Sequence, residues 1–331
     1  MRNVRAAATT TSTPPLAPRT GPAQTASRER PRPTPRGGLS RGRRHLSAWL
    51  FLAPALVIFA GFKFVPMARA IEMSVYEVRP YLGDQWVGLA KYREVLTDAA
   101  FVTAIWQTGL LAVGQTGGAL AVGLVLALVL EGSARHLWLL RTAVFLPTVA
   151  AMAVVAEVWR ILYYPSADGV LNSILGWTGL GPSPFLNSED SALASVLLVG
   201  VWRGAPYDMM IFIAGLAGVD RTLYEAAAID GAGAWRRLWH ITVPAMRPVF
   251  AILLTLAAIR GLRVFTEVFL LTNGGPNGST EVIMTLIYKV GLERNELGVA
   301  SAGSVLLLVA TVWLTGTVLV LRGREHRADR P

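Results

Sequence analysis

Long apolar runs separated by short polar segments form the main pattern of this chain after residue 46. A bilayer core about 30 Å thick is crossed by roughly 20 apolar helical residues. Six runs reach that length, so the pattern predicts an all-α membrane protein with six transmembrane helices. The predicted spans cover residues 48–68, 104–130, 142–162, 192–219, 249–271 and 297–321.

The composition also favours a chain that lies mostly in lipid. Of the 331 residues, 53% are hydrophobic and only 16% are charged, whereas a soluble domain usually carries about 25% charged residues. The absence of Cys excludes a disulfide framework and a Cys-ligated zinc site. None of the four His shares a span with a cluster of Asp or Glu. The residues therefore give no support to a membrane-embedded enzyme, which would need converging acid, base or metal-binding groups.

The first 46 residues carry most of the net charge of +10. They contain ten Arg against a single acid, Glu29, in a background of Pro, Thr, Ser and Ala. Such a segment buries too little apolar surface to offset its ordering entropy, so residues 1–46 are predicted to form a disordered tail. Because no aromatic residues lie between the Arg, we do not expect nucleic-acid binding. The predicted six-span domain covers residues 47–325, and residues 326–331 form the C-terminal end.

The charge of the segments between the spans predicts their side of the membrane. Basic residues exceed acidic ones in the tail, in residues 131–141 and 220–248, and at the C-terminal end. Acidic residues exceed basic ones in residues 164–191 and 273–296. Cytoplasmic segments are enriched in Lys and Arg. Both termini are therefore predicted to be cytoplasmic.

Spans three, four and five each contain two or more ionisable side chains, whereas span one has a single Lys63 near its end; each such group costs at least about 2.5 kcal/mol at mid-bilayer. Span three has Glu157 and Arg160 on one helical face. Span four has a polar stretch over residues 202–208, and span five has Arg263 and Glu267 four residues apart, where they can pair. These groups indicate the wall of a polar path. Structural pairing near the span ends is the alternative, and it is the stronger interpretation for span three.

Spans two and six contain no charged residue, so we expect them to face lipid or neighbouring helices. Span two carries Gly114 and Gly118, and small residues four apart permit close approach of two helices. We interpret this spacing as ordinary packing within a helix bundle.

The segment between spans four and five is too polar to cross a membrane and too apolar for a solvated loop. Residues 225–229 favour a helix, and Asp230-Gly231 is a turn signal. A second helical stretch over residues 234–241 carries two Trp and two Arg, and Pro244 follows it. The sequence therefore predicts a helical hairpin whose apolar side chains need a docking partner.

This hairpin carries a known pattern. Its residues Glu225-Ala226-Ala227-x-x-Asp230-Gly231-Ala232, followed by Ile-Thr-Val-Pro at 241–244, resemble the EAA loop of ABC importer permeases. Three further stretches resemble the maltose and glycerol-phosphate branch of that family, namely GLAKY at 88–92, TNGGP at 272–276 and GVASA at 298–302. The resemblance covers about residues 45–325.

The resemblance implies the type I importer permease fold and a heteromeric complex in a bacterial plasma membrane. The permease would pair with a second permease subunit, and each would insert its EAA loop into one of two ABC ATPases. An extracytoplasmic solute-binding protein would deliver a carbohydrate. This chain contains no phosphate-binding loop of the G-x-x-x-x-G-K-[ST] type. It is therefore expected to hold no cofactor or metal and not to be an enzyme, while the partner ATPase binds ATP and Mg²⁺.

The resemblance also implies roles for individual residues. Glu225 would meet a basic residue of the ATPase, and Gly231 would form the turn. The residues expected to couple to the ATPase are Glu225, Ala226, Ala227, Asp230, Gly231 and Ala232. The candidates for the substrate path are Trp202, Arg203, Gly204, Tyr207, Gly261, Arg263 and Glu267. Among these, an aromatic ring such as that of Tyr207 can stack on a sugar and donate a hydrogen bond.

Two alternatives remain open at this stage. Arg side chains near the path could recognise an anionic solute such as a sugar phosphate instead of a neutral sugar. A proton-coupled carrier would work without an ATPase, but it predicts internal repeats, and the two halves of this sequence show none.

Overall fold

The computed structural model describes residues 41–79, 81–132 and 134–328, and most of these residues are helical. The fifteen α-helices of these stretches are α1 (Arg41–Phe59), α2 (Val65–Met73), α3 (Ala90–Thr97), α4 (Ala99–Leu130), α5 (Arg135–Val149), α6 (Met152–Leu162), α7 (Val170–Trp177), α8 (Glu189–Leu216), α9 (Arg221–Ile229), α10 (Ala234–Arg237), α11 (Val243–Ala245), α12 (Arg247–Gly261), α13 (Thr266–Leu271), α14 (Ile283–Tyr288) and α15 (Leu297–Ala328).

Short elements connect these helices. Two antiparallel strands, β1 (Tyr76–Glu77) and β2 (Gln85–Trp86), pair Tyr76 with Trp86, and the centroids of their rings lie 5.6 Å apart. Short π-helical segments occupy Ala60–Phe64, Leu238–Thr242 and Lys289–Glu293. A 3₁₀ turn occupies Phe185–Asn187.

The chain divides into two units, Met1–Ile58 and Phe59–Pro331. In the first unit, the described residues belong to α1, which begins at Arg41. The predicted tail falls mainly on residues 1–40, which lie outside the described residues. Helix α1 begins at Arg41, seven residues before the predicted start of span one. Residues 41–46, which the sequence predicts to belong to the disordered tail, are therefore helical.

Among the described residues, four helical runs are long and apolar enough to cross a membrane on their own. They are Trp49–Met73, Ala99–Leu130, Glu189–Leu216 and Leu297–Val320, and they correspond to predicted spans one, two, four and six. Two further spans result if each sharply bent helix pair counts as one, Arg135–Val149 with Met152–Leu162 and Ala234–Ala245 with Arg247–Gly261. The six-span prediction agrees with this arrangement, but spans three and five are not single straight helices.

Span three is broken at Ala150 and Ala151, and α5 and α6 meet at 100°. Both residues have extended backbone angles, with ψ of 143° and 132°. The two halves follow different neighbours, because α5 packs along α8 whereas α6 packs against α13. A count of apolar residues does not reveal such a break, so the continuous helix expected over 142–162 was wrong.

Span five is also interrupted, since α12 ends at Gly261 and α13 begins at Thr266. Phe265, between them, has φ −142° and ψ −61°, outside the helical region. The continuous helix predicted over 249–271 is therefore wrong in its middle. Broken spans are tolerated at membrane depth where they are buried in protein or line a cavity, and this break lies beside the cavity described below.

Helices α4 and α8 form the closest helix pair of the described fold, and glycines of α4 face α8. A Cβ atom at Gly118 would lie 2.5 Å from Cγ2 of Val201. One at Gly123 would lie 2.9 Å from the carbonyl oxygen of Ala205 and 3.1 Å from the amide nitrogen of Met209. The packing role predicted for Gly114 and Gly118 is thus confirmed, and Gly123 extends the contact by a further turn.

Replacing Gly123 by Ala should destabilise the protein by about 1–3 kcal/mol, the usual range for overpacking. The added methyl meets backbone atoms of α8, so the helices must separate. Gly117→Ala is the matched control, because a Cβ there meets nothing within 4 Å. We expect a lower unfolding midpoint in detergent for Gly123→Ala alone, and equal midpoints for the two variants would contradict the packing argument.

Candidate functional site

The main candidate site is a cavity of about 480 Å³ between α4, α5, α8, α12 and α13. The break between α12 and α13 forms part of its wall. Its charged and aromatic lining consists of Arg203, Tyr207, Asp208, Arg260, Arg263 and Glu267. Polar but uncharged side chains come from Gln115, Thr116, Thr148 and Thr266.

Six of the seven predicted path residues line this cavity, namely Arg203, Gly204, Tyr207, Gly261, Arg263 and Glu267. Trp202 does not. Its ring packs edge-on against Trp159 of α6, with the two centroids 5.3 Å apart. Successive residues of an α-helix point about 100° apart, so the side chain next to Arg203 in sequence faces a different neighbour. The expectation that Trp202 lines the path needs this correction.

The ion pairs of the cavity differ from the predicted pairing of Arg263 with Glu267. Glu267 Oε1 instead lies 3.4 Å from Nη1 of Arg203 on α8. The pairing of residues four apart requires a continuous helix, and the chain leaves the helix between these two positions. The break therefore separates them and turns Glu267 towards α8.

A second pair joins the same two spans on the other side of the break. Arg260 Nη2 donates to Oδ1 of Asp208 at 3.2 Å, and Asp208 is only 2% exposed. Removing one partner of a buried ion pair leaves an uncompensated charge, which typically costs 3–5 kcal/mol. The guanidinium of Arg260 also lies over the ring of Tyr207, 5.0 Å from its centroid. One face of this ring is thus covered by a cation.

Sequence reasoning missed the contribution of span two to the cavity, because that span has no charged residue. Gln115 and Thr116 nevertheless line the cavity, and Gly200 on α8 leaves space for the Gln115 side chain. A Cβ at Gly200 would lie 2.8 Å from Cγ of Gln115. The sequence feature that could have indicated this role is the polar amide of Gln115 within an otherwise mostly apolar span.

The charges of span three have a structural role in this fold, as the alternative interpretation held. Arg160 pairs with Glu157 at 3.4 Å, as their spacing predicts. It also donates to the carbonyl oxygens of Leu270 at 2.6 Å and Leu271 at 3.4 Å. Arg160 thereby satisfies free carbonyl groups at the end of α13. Neither charge lines the cavity.

The predicted hairpin between spans four and five is present as α9 and α10. The Asp220 carboxylate caps α9 by accepting a hydrogen bond from the amide of Thr222 at 2.9 Å. Gly231 has φ +73°, a conformation that favours glycine, and the Ala232 amide donates to the Ala227 carbonyl at 2.9 Å. The predicted Asp-Gly turn is confirmed.

The hairpin exposes the residues expected to couple to an ATPase. Glu225, Ala226, Asp230 and Gly231 are exposed, whereas Ala227 and Ala232 are half-buried. Apolar side chains share this surface, since Ile229 is 87% and Trp235 is 72% exposed. Exposed apolar groups at one place indicate a contact surface.

Comparison with known proteins establishes the family. The sequence profile of the binding-protein-dependent transport system inner membrane component matches residues 100–322. The chain belongs to this family. It is 33% identical over 272 residues to the probable ABC transporter permease protein YurN of Bacillus subtilis (strain 168), covering 81% of this chain and 92% of that relative.

Other relatives point the same way. The trehalose/maltose transport system permease protein MalF of Thermococcus litoralis is 30% identical and covers 85% of this permease and 94% of its own length. A crystal structure of a bacterial ABC transporter that imports the acidic polysaccharide alginate matches with a TM-score of 0.74, 25% identity and coverage of 85% and 96%. The predicted fold, the type I ABC importer permease fold, is confirmed by this similarity.

A double-mutant cycle tests the pairing across the broken span. We expect Arg203→Gln and Glu267→Gln to show a coupling free energy of about 1 kcal/mol in detergent unfolding, because the pair is only partly exposed. The cycle of Arg263→Gln with Glu267→Gln is the control, and its coupling should be close to zero. The reverse ranking would support the helical pairing expected from sequence.

The cap of α9 makes the hairpin sensitive to acid. The hydrogen bond from the Thr222 amide, followed by that from its hydroxyl, holds the pKa of Asp220 below its ordinary value of 3.8. The cap is therefore fully present above pH 3.8 and is lost as the pH falls through the lowered pKa. Protection of the amides in the first turn of α9, measured relative to their intrinsic exchange rates at each pH, should fall over that range. Asp220→Asn, which still caps, should remove the pH dependence, and unchanged dependence would refute the assignment.

Proposed function

We propose that this permease forms half of the translocation path of an ATP-driven ABC importer for a carbohydrate. The observation that carries the proposal is the cavity beside the break in span five, within a fold of the binding-protein-dependent family. Transporter sites are typically built where spans are discontinuous. Relatives named as permeases for trehalose/maltose and for arabinooligosaccharides support a saccharide as the solute.

The charge distribution supports an orientation with both termini in the cytoplasm. The excess of basic residues at the two ends and in residues 131–141 and 220–248 supports a cytoplasmic position for these segments under the positive-inside rule. The hairpin of α9 and α10 then projects into the cytoplasm of a bacterial cell. The acidic segments 164–191 and 273–296 face the outside, where a solute-binding protein would deliver the ligand.

The exposed hairpin supports contact with a separate ATPase. Glu225 offers a charge to a basic residue there, and Ala226 permits close approach of the two backbones. ATP and Mg²⁺ would be bound by two copies of that ATPase, one on this permease and one on a second permease subunit. Closure of the ATPases would move the hairpins and rock the spans between inward-facing and outward-facing states.

The lining of the cavity supports polar recognition of a sugar. Gln115, Thr116 and Thr148 offer uncharged donors and acceptors for hydroxyl groups. Because Arg260 already covers one face of the Tyr207 ring, a sugar would use the opposite face or the Tyr207 hydroxyl. Membrane lipid would surround the outward-facing side chains of the spans.

Two variants of the hairpin test the coupling. Gly231→Pro should abolish ATP-dependent uptake of labelled maltose, trehalose and arabinooligosaccharides, because proline cannot adopt φ +73°. Gly231→Asn is the matched control and should retain uptake, because Asn tolerates this conformation. Glu225→Lys should also abolish uptake while membrane insertion stays intact, and co-purification of the ATPase should fall with it.

The energy source distinguishes this function from a proton-coupled carrier. Uptake should stop when ATP is depleted with the ion gradient preserved. Uptake that continues under these conditions, or normal transport by Gly231→Pro, would contradict the proposal.

A further inference from the structure

The charges that line the cavity do not cancel. Three arginines, Arg203, Arg260 and Arg263, face two acids, Asp208 and Glu267, and no other charged side chain belongs to the described lining. Each acid is already paired, Asp208 with Arg260 and Glu267 with Arg203. One positive charge is therefore left over, and it belongs to Arg263.

The side chain of Arg263 is also available to a ligand. It lies in the break between α12 and α13, its side chain is exposed, and it forms no ion pair or side-chain hydrogen bond with the described residues of this chain. Arg203 and Arg260 are not equivalent candidates. The positive charge of each is already balanced, that of Arg203 by Glu267 and that of Arg260 by the buried Asp208.

The buried hydrogen-bonding groups of the cavity that lack a partner in the described part of the chain also favour a negatively charged ligand. Nε of Arg203 and Nε2 of Gln115 are buried without a partner among the described residues, and both are donors. A sugar hydroxyl both donates and accepts, whereas an ionised acid only accepts. Spare donors together with a spare positive charge match an acceptor-only, negatively charged group. A planar guanidinium binds such a group with two parallel hydrogen bonds.

We propose that the carbohydrate carried by this permease bears an ionised acidic group, and that Arg263 is the residue that selects it. This inference rests on the proposed carbohydrate function and narrows its substrate class. Arg203 Nε and Gln115 Nε2 supply further donors to the ligand, while the two ion pairs keep the remaining charges of the cavity neutral.

The test compares matched saccharides in membrane vesicles that contain the complete importer with its binding protein. The probes are hexuronate oligosaccharides, hexose oligosaccharides of the same length, and a hexose phosphate. The variants are Arg263→Gln, Arg263→Lys and the control Arg93→Gln, which changes an exposed arginine of α3 outside the cavity. Because the binding protein is the same in every preparation, a change in the ratio of uptake rates between variants reports on the permease.

We expect the complete importer to prefer an acidic probe, and Arg263→Gln to lower its uptake by at least about tenfold. Uptake of the neutral probe should fall much less, so that the ratio of acidic to neutral uptake drops. Arg263→Lys should show a preference between those of the unaltered chain and Arg263→Gln, because lysine keeps the positive charge but lacks the paired donors of the guanidinium. Arg93→Gln should behave like the unaltered chain. Hexuronate and hexose phosphate distinguish a carboxylate from a phosphate ester as the acid that Arg263 binds.

Two different results would overturn the inference. If neutral probes are taken up in an ATP-dependent manner and Arg263→Gln leaves the ratio of acidic to neutral uptake unchanged, the selection by Arg263 is refuted while the carbohydrate function stands. If no saccharide of either class is taken up when ATP is present, the carbohydrate function fails and the inference fails with it.

Discussion

The pairing of ionised side chains at membrane depth is the constraint on which the site depends. Asp208 is buried in α8, and a lone carboxylate there would be strongly destabilising. Its partner, Arg260, comes from the last turn of α12, and Glu267 returns from α13 to Arg203. Two pairs on either side of the break thus hold span five against span four. The residues of the break itself then remain free to line a cavity.

Close approach of α4 and α8 gives these pairs a fixed frame. The glycines of α4 let the backbone of α8 come near enough that even a methyl group at Gly123 meets Ala205 and Met209. The same stretch of α8 carries Arg203 and Asp208. The positions of both charges therefore depend on backbone packing rather than on flexible side chains, which suits a site that must hold its geometry.

Much of this arrangement could be predicted from the sequence, because lipid imposes a simple rule on length and polarity. The six apolar runs and the helical hairpin with its turn at Gly231 follow from local patterns, and six of the seven path residues follow from the family resemblance together with the charges in spans four and five. The breaks in spans three and five could not be predicted, since they arise from packing of each half on a different neighbour. The wrong pairing of Arg263 with Glu267 was a direct result, because it assumed a continuous helix. Gln115 was missed because attention to charge overlooks an amide.

Helix α12 follows the hairpin after a π-helical turn and α11, begins next to the fully buried Met246, and ends beside the cavity. From Arg247 to Arg260 it measures roughly 20 Å, at 1.5 Å per residue. A rotation of about 10° around its buried end would displace the far end by roughly 3.5 Å, from the same rise per residue. That displacement is as large as the 3.2 Å separation between Arg260 and Asp208. Helix α12 thus has the length of a lever arm, so that a small tilt at its buried end would be enough to make or break one contact deep in the bundle.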